Sequence, residues 1–190
     1  MPPKDSANTH KMQEQLALEL IKQGKLKEAE NIYKNLVRSG SINDIVHGNL
    51  GALLQKKGDI VSATSLLKKS LELNPNNPNV HNNLGIALED QGNITYAIAS
   101  FNTAIELKTN FPEAHYNLGN ALKKAGDQAA AIDSFRTAIR FKADYPEAHN
   151  NIGNILKEQD NLIEAINSYN TAIQLNPKYP DALYNLGIAL

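Results

Sequence analysis

His115-Tyr116-Asn117-Leu118-Gly119-Asn120-Ala121-Leu122-Lys123-Lys124-Ala125-Gly126-Asp127 reads as one helix running into a turn. Leu118, Ala121 and Leu122 recur at helical spacing. Gly126-Asp127 ends the run, and the glycine is free to take the left-handed cap conformation. Upstream, Pro112 opens the helix, because its missing N–H would be unpaired there in any case. Downstream, Ala131, Ile132, Phe135, Ala138 and Ile139 mark the inner face of a second helix over 129–141. Tyr145 precedes Pro146, a placement that disfavours helix and closes the unit.

The same grammar returns every 34 residues. His47, His81, His115 and His149 form one column. Gly51, Gly85, Gly119, Gly153 and Gly187 form another, and Ala63, Ala97, Ala131 and Ala165 a third. The units are 44–77, 78–111, 112–145 and 146–179. A degenerate copy fits 10–43, with Leu16, Leu20, Gly24, Ala29 and Tyr33 in register. A sixth unit starts at Pro180 and reaches Leu190 after one helix, and residues 1–9 read as a disordered leader. Periods of this length belong to stacked hairpins, each too small to bury its apolar face alone. Short loops make successive helices antiparallel. Gly119 and Ala131 are expected where the two helices of a hairpin cross, since larger side chains there would overpack.

The pattern His115, Leu118-Gly119, Leu122, Ala131, Phe135, Ala138 resembles the tetratricopeptide repeat, over about residues 10–190. The family's first-helix tryptophan is histidine here, and the tyrosine four residues after its leucine is Leu54, Leu88, Leu122 or Leu156. The proline late in the repeat is kept as Pro75 and Pro177 and replaced by Thr109 and Ala143. The resemblance implies an all-α, right-handed α-solenoid of antiparallel helix hairpins. It also implies that the first helices line a concave groove where another protein or an extended peptide binds.

On a helical wheel, the core arc of the third full unit is His115, Leu118, Gly119 and Leu122. The opposite arc is Glu113, Tyr116, Asn117, Asn120, Lys123 and Lys124. One column on it is nearly uniform: Asn49, Asn83, Asn117, Asn151 and Asn185, with Gln15 in the first copy. Asparagine is a mediocre helix former, but its amide offers one acceptor oxygen and two donor hydrogens. Such a column suits the main chain of an extended peptide. It equally suits hydrogen bonds between neighbouring repeats, and both roles are open at this stage. The column resembles the asparagine ladder in the superhelical repeats of O-linked N-acetylglucosamine transferases. Tyr116, Tyr184, Asn120, Asn154 and Lys123 vary between units on the same face and are the candidate specificity anchors. A tetratricopeptide subclass that grips C-terminal carboxylates uses basic residues where this chain has Gly48, Asn82, Tyr116 and Asn150, so that mode is not expected.

Composition narrows the remaining classes. Nineteen basic and 20 acidic residues give a net charge of −1, with no electrostatic reason to expect nucleic acid or an anionic membrane. The absence of cysteine excludes disulfides and thiolate metal sites. No apolar run approaches the ~20 residues of a membrane span, and the polar start does not read as a secretory signal, so a cytoplasmic location is expected. The in-register histidines sit one per repeat on the core side, which favours packing over metal ligation. No phosphate loop, nucleophile elbow or paired catalytic carboxylate occurs, so neither cofactor nor catalysis is expected. Two further expectations concern the far end. The array reads alternatively as the recognition segment of a larger transferase. Leu186, Ile188 and Leu190 suggest self-association through an uncovered apolar face.

Overall fold

The computed structural model describes the backbone of residues 4–190 and the side chains from Asn8 onward. The described residues form eleven helices and no strand. In order these are α1 (Lys4–Lys22), α2 (Leu26–Arg38), α3 (Asp44–Lys56), α4 (Ile60–Leu73), α5 (Pro78–Asp90) and α6 (Ile94–Leu107). Then follow α7 (Pro112–Ala125), α8 (Gln128–Phe141), α9 (Pro146–Glu158), α10 (Leu162–Leu175) and α11 (Pro180–Ala189). Odd-numbered helices are the first helices of the repeats. Residues 4–9 are helical, not a disordered leader: α1 begins at Lys4, and no glycine or proline in 5–9 interrupts it. Residues 1–3 lie outside the described part. No described helix is long and apolar enough to cross a membrane.

Contacts divide the chain into two compact units, one ending at Gly92 and one spanning Asn93–Leu190. In the first, α1 packs on α2, α2 on α3, α3 on α4 and α4 on α5. Its core holds Leu20, Tyr33, Leu36, Val46, Leu50 and Leu53. In the second, each helix from α6 to α11 packs on the next, around Ile132, Phe135, Ile152, Ile155, Leu156 and Tyr169.

The glycine column explains the close approach within hairpins. A Cβ added to Gly119 would stand 2.6 Å from the Phe135 ring, and one on Gly153 would stand 2.6 Å from the Tyr169 ring. Both rings are completely buried. Gly51 meets Leu67 in the same way, at 2.8 Å. In these three hairpins the second-helix residue therefore uses space that the first-helix glycine leaves open. Gly187, whose repeat has no second helix here, has nothing within 4 Å.

Hairpin turns follow one recipe with one exception. Gly24, Gly58, Gly92 and Gly126 all have positive φ. Asp160 stands at the matching place in the α9–α10 turn with φ 61. A residue with a Cβ costs about 1–2 kcal/mol in that region.

The first hairpin is tied to the second by a buried carboxylate. Glu30 on α2 accepts from Lys34 Nζ at 2.6 Å and from Lys57 Nζ, at the end of α3, at 3.1 Å. The Lys34 hydrogen bond is the main cause holding its pKa below the ordinary 4.5, with Lys57 adding to it against the effect of burial. A depressed carboxyl pKa stabilises the fold fully above the unfolded value and loses that contribution as pH falls through the folded value. We expect Glu30→Gln to cost about 1 kcal/mol at pH 7. Well below pH 4.5 it should cost much less, because wild-type Glu30 is then protonated too. Urea unfolding followed by far-UV circular dichroism at the two pH values checks this.

Candidate functional site

The asparagine column lies on the first helices, half-buried at every position. In the unit ending at Gly92, Asn49 Nδ2 donates to the buried Tyr33 hydroxyl at 3.0 Å. Burial chiefly raises the pKa of that phenol. The Asn83 side chain on α5 makes no hydrogen bond among the described residues.

The Asn93–Leu190 unit has a fuller network. Asn151 Nδ2 donates to the Tyr116 hydroxyl at 3.2 Å and to Asn120 Oδ1 at 2.9 Å. Asn185 Nδ2 donates to Asn150 Oδ1 at 3.0 Å. Each bond joins a first helix to the first helix of the preceding repeat. A primary amide has two hydrogens, so Asn151 has spent both inside the protein, and its Oδ1 accepts from no described residue. The Oδ1 atoms of Asn49 and Asn185 are equally unengaged. At Asn49, Asn151 and Asn185 the donor is thus turned toward the preceding helix and the acceptor is left over.

Most candidate anchors are already held by their neighbours. The Tyr116 ring stacks on Tyr145, with centroids 4.9 Å apart, and tilts against Phe135 at 5.6 Å. Asn120 accepts from Asn151. Asn154 Oδ1 accepts from the Tyr169 hydroxyl at 2.9 Å. Lys123 pairs with Glu158 at 3.2 Å. Tyr184, by contrast, is 71% exposed. Asn117 is half-buried on α7, between the Asn83 and Asn151 positions in the column.

Helix starts differ between the two units in a way that the reading of the repeat columns passed over. α3 and α5 begin with Asn43 and Asn77, whose side chains accept from Ile45 N and Val80 N. At the matching places α7, α9 and α11 begin with Phe111, Tyr145 and Tyr179, which make no side-chain cap. Losing a cap typically costs about 1 kcal/mol. Phe111 and Tyr145 are buried and Tyr179 half-buried, so packing offsets at least part of that cost.

The histidines have backbone partners at three of the four positions. His47 Nδ1 bonds the Asn43 carbonyl at 2.9 Å, His81 Nε2 that of Pro75 at 2.8 Å, and His115 Nε2 that of Thr109 at 3.1 Å. Burial lowers the pKa of His115 and His149, favouring the neutral ring. His149 instead borders a pocket of about 350 Å³ with Ile139, Ile152 and Leu156.

Comparison with known proteins agrees with this geometry. Family models described as "TPR repeat" match residues 87–126, 119–160 and 153–190. Models described as "Tetratricopeptide repeat" match 15–78 and 66–99. No curated protein sequence matches the chain. Among solved structures, the chain is similar to YrrB, described as a TPR protein with an unusual peptide-binding site. The TM-score is 0.74 at 22% identity, covering 90% of this chain and 89% of that one. It is similar to a chain of the APC/C hetero-tetramer Cut9–Hcn1, with TM-score 0.85 at 22% identity over 94% of this chain and 36% of that one. It also resembles pilF of Pseudomonas aeruginosa, with TM-score 0.81 at 19% identity over 96% and 83%. At these identities the likeness is one of fold, that of consecutive packed helix pairs. Repeat models spanning more than half of the chain, on helices packed in this order, place it in the tetratricopeptide repeat family.

Proposed function

We propose that the chain is a protein-binding module that takes an extended segment of its partner along the asparagine-bearing face of its first helices. The observation that carries this reading is the orientation of the amides. In Asn49, Asn151 and Asn185 the donor side is used within the protein and the acceptor oxygen is left for an incoming N–H. Packed helices lie about 8–10 Å apart, and an extended chain rises about 3.3 Å per residue. One acceptor per repeat therefore matches about every third residue of such a segment.

The asparagine column resembles the ladder of O-linked N-acetylglucosamine transferases, and the YrrB likeness joins this fold to peptide binding in another protein. Contacts to main chain hold a peptide without reading its sequence. Each is worth about 0.5–1.5 kcal/mol net, and ordering the peptide offsets part of that. Affinity from the column alone is expected near micromolar, with selectivity left to side chains such as Tyr184. The test is to select binders from a random-peptide library and titrate the best into wild type and into column variants by fluorescence anisotropy. Binding that ignores the column overturns the reading.

A further inference from the structure

Between α8 and α10, both of which pack on α9, lies the pocket of about 350 Å³ that His149 borders. Its volume is at the small end of the ~300–1,000 Å³ range of ligand pockets, which suits one ring better than an extended chain. Ile139, Ile152 and Leu156 give it an apolar floor. On a helical wheel His149, Ile152 and Leu156 lie on the side of α9 turned away from Asn151, so the pocket is separate from the asparagine-bearing face. Arg136 on α8 and Glu164 on α10 both line it. With one charge of each sign, the pocket favours a neutral occupant over an ion.

His149 is the polar group left over. His47, His81 and His115 each bond a backbone carbonyl, and His115 also has the Phe141 ring at 5.5 Å. The His149 ring has neither a hydrogen-bond partner nor a ring contact among the described residues. Leu175 stands where Phe141 does in the preceding repeat. No buried side-chain nitrogen or oxygen lacks a partner among the described residues, so the unpaired His149 nitrogens are not sealed in and a ligand reaches them. Burial favours the neutral ring, which offers one N–H donor and one acceptor nitrogen. A hydroxyl both donates and accepts, so it satisfies either nitrogen whichever tautomer is present. Phe141 beside His115 shows that this column accepts an aromatic ring next to its histidine. Ile163, 77% exposed, stands one turn from Asn167 at the pocket's edge. It is an apolar contact that a polypeptide reaches and a single small molecule in the pocket does not.

We propose that this pocket seats a tyrosine side chain of a partner protein, with the ring on Ile139, Ile152 and Leu156 and the hydroxyl at the His149 imidazole. A phenylalanine fills the same floor but leaves the histidine nitrogens unmet. A lysine or a glutamate gains from one of Arg136 and Glu164 and loses to the other. The chain thereby has a second recognition point, on α8, α9 and α10, that does not depend on the groove.

The test uses the full chain and the N-acetyl amides of tyrosine, phenylalanine and leucine, followed by amide and histidine-ring NMR. The tyrosine probe is expected to shift the His149 ring signals and the amides of Ile139, Ile152 and Leu156 saturably. Its Kd should lie about fivefold below that of the phenylalanine probe, a factor corresponding to about 1 kcal/mol, with the leucine probe weakest. His149→Phe keeps a ring in the column but removes its nitrogens. It should erase the tyrosine advantage while the phenylalanine probe still binds. Asn167→Trp changes an exposed residue at the pocket's edge, so it should cover the mouth and abolish binding of both probes without disturbing the core. Far-UV circular dichroism verifies that both variants fold. Equal affinity for the tyrosine and phenylalanine probes, an advantage that survives His149→Phe, or shifts confined to residues outside the pocket overturns the site and leaves the groove reading standing. p-Cresol, titrated alongside, separates a free phenol from a polypeptide residue: tighter binding of p-cresol than of the tyrosine probe overturns a partner's tyrosine as the occupant.

Discussion

Gly119→Ala should destabilise the chain by about 1–3 kcal/mol, and the same change in a Phe135→Ala background should cost nothing measurable. The methyl group would stand 2.6 Å from the Phe135 ring, whose Cε1, Cδ1 and Cζ atoms all face it. That ring is completely buried and has no free end to swing away. Either α7 and α8 separate or the ring leaves its place. Alanine's better helix propensity, about 1 kcal/mol over glycine, offsets only part of the strain. Phe135→Ala alone should cost about 3–5 kcal/mol through lost packing and the cavity left behind. In the double variant the new methyl points into that cavity, so the two changes couple by at least about 1 kcal/mol. Gly187→Ala is the control: nothing lies within 4 Å of its position, and only the helix-propensity gain of about 1 kcal/mol remains. Urea unfolding of the four proteins of the cycle decides it. Equal costs for Gly119→Ala in both backgrounds would remove the ring as the cause. The first hairpin sets a bound on the effect, for it carries Ala17 at this place in the same core as Tyr33.

The second large effect concerns binding. Replacing Asn83, Asn117 and Asn151 together by alanine should weaken a library-selected peptide by about 10- to 2,000-fold, from three bonds of about 0.5–1.5 kcal/mol each. The single variants separate the two roles of the column. Asn151→Ala removes two hydrogen bonds to the preceding repeat, so it should lower stability as well as affinity. Asn83 makes none among the described residues, so Asn83→Ala should leave the fold unharmed or raise its stability by up to about 0.7 kcal/mol. A loss of binding by Asn83→Ala without loss of stability is an outcome that a purely structural column cannot produce. Unchanged peptide affinity in the triple variant would end the proposal that these amides touch the ligand.

The fold was legible because a repeat states each packing rule several times. One glycine in a helix is ambiguous, but Gly51, Gly119 and Gly153, each facing the large residue of its own hairpin, form a rule visible in sequence. Gly126 took the left-handed turn its position implied, and Pro146 opened α9 where Tyr145 closed the unit before it. The site was only partly legible. The wheel put Tyr116, Asn120 and Lys123 on one face, but a wheel describes a single helix. It could not show that Asn151, from the next repeat, reaches back to Tyr116 and Asn120, or that Glu158 meets Lys123. These partners are 31 to 35 residues away, and their pairing depends on the spacing between hairpins. The start of α1 at Lys4 was missed because polar residues with no apolar period give no helical signal.

The bonds from Asn151 and Asn185 to the preceding first helix have a consequence for motion. In the Asn93–Leu190 unit each helix rests chiefly on its immediate neighbours, so opening can begin at one hairpin without dissolving the rest. The Asp160 turn, with a Cβ at positive φ, adds a small local strain to the α9–α10 hairpin. An extended ligand lying across α7, α9 and α11 would then act as a splint. Amide exchange in α10, which such a ligand need not touch, should slow when it binds, so that occupancy of one face is reported by the stiffness of the other.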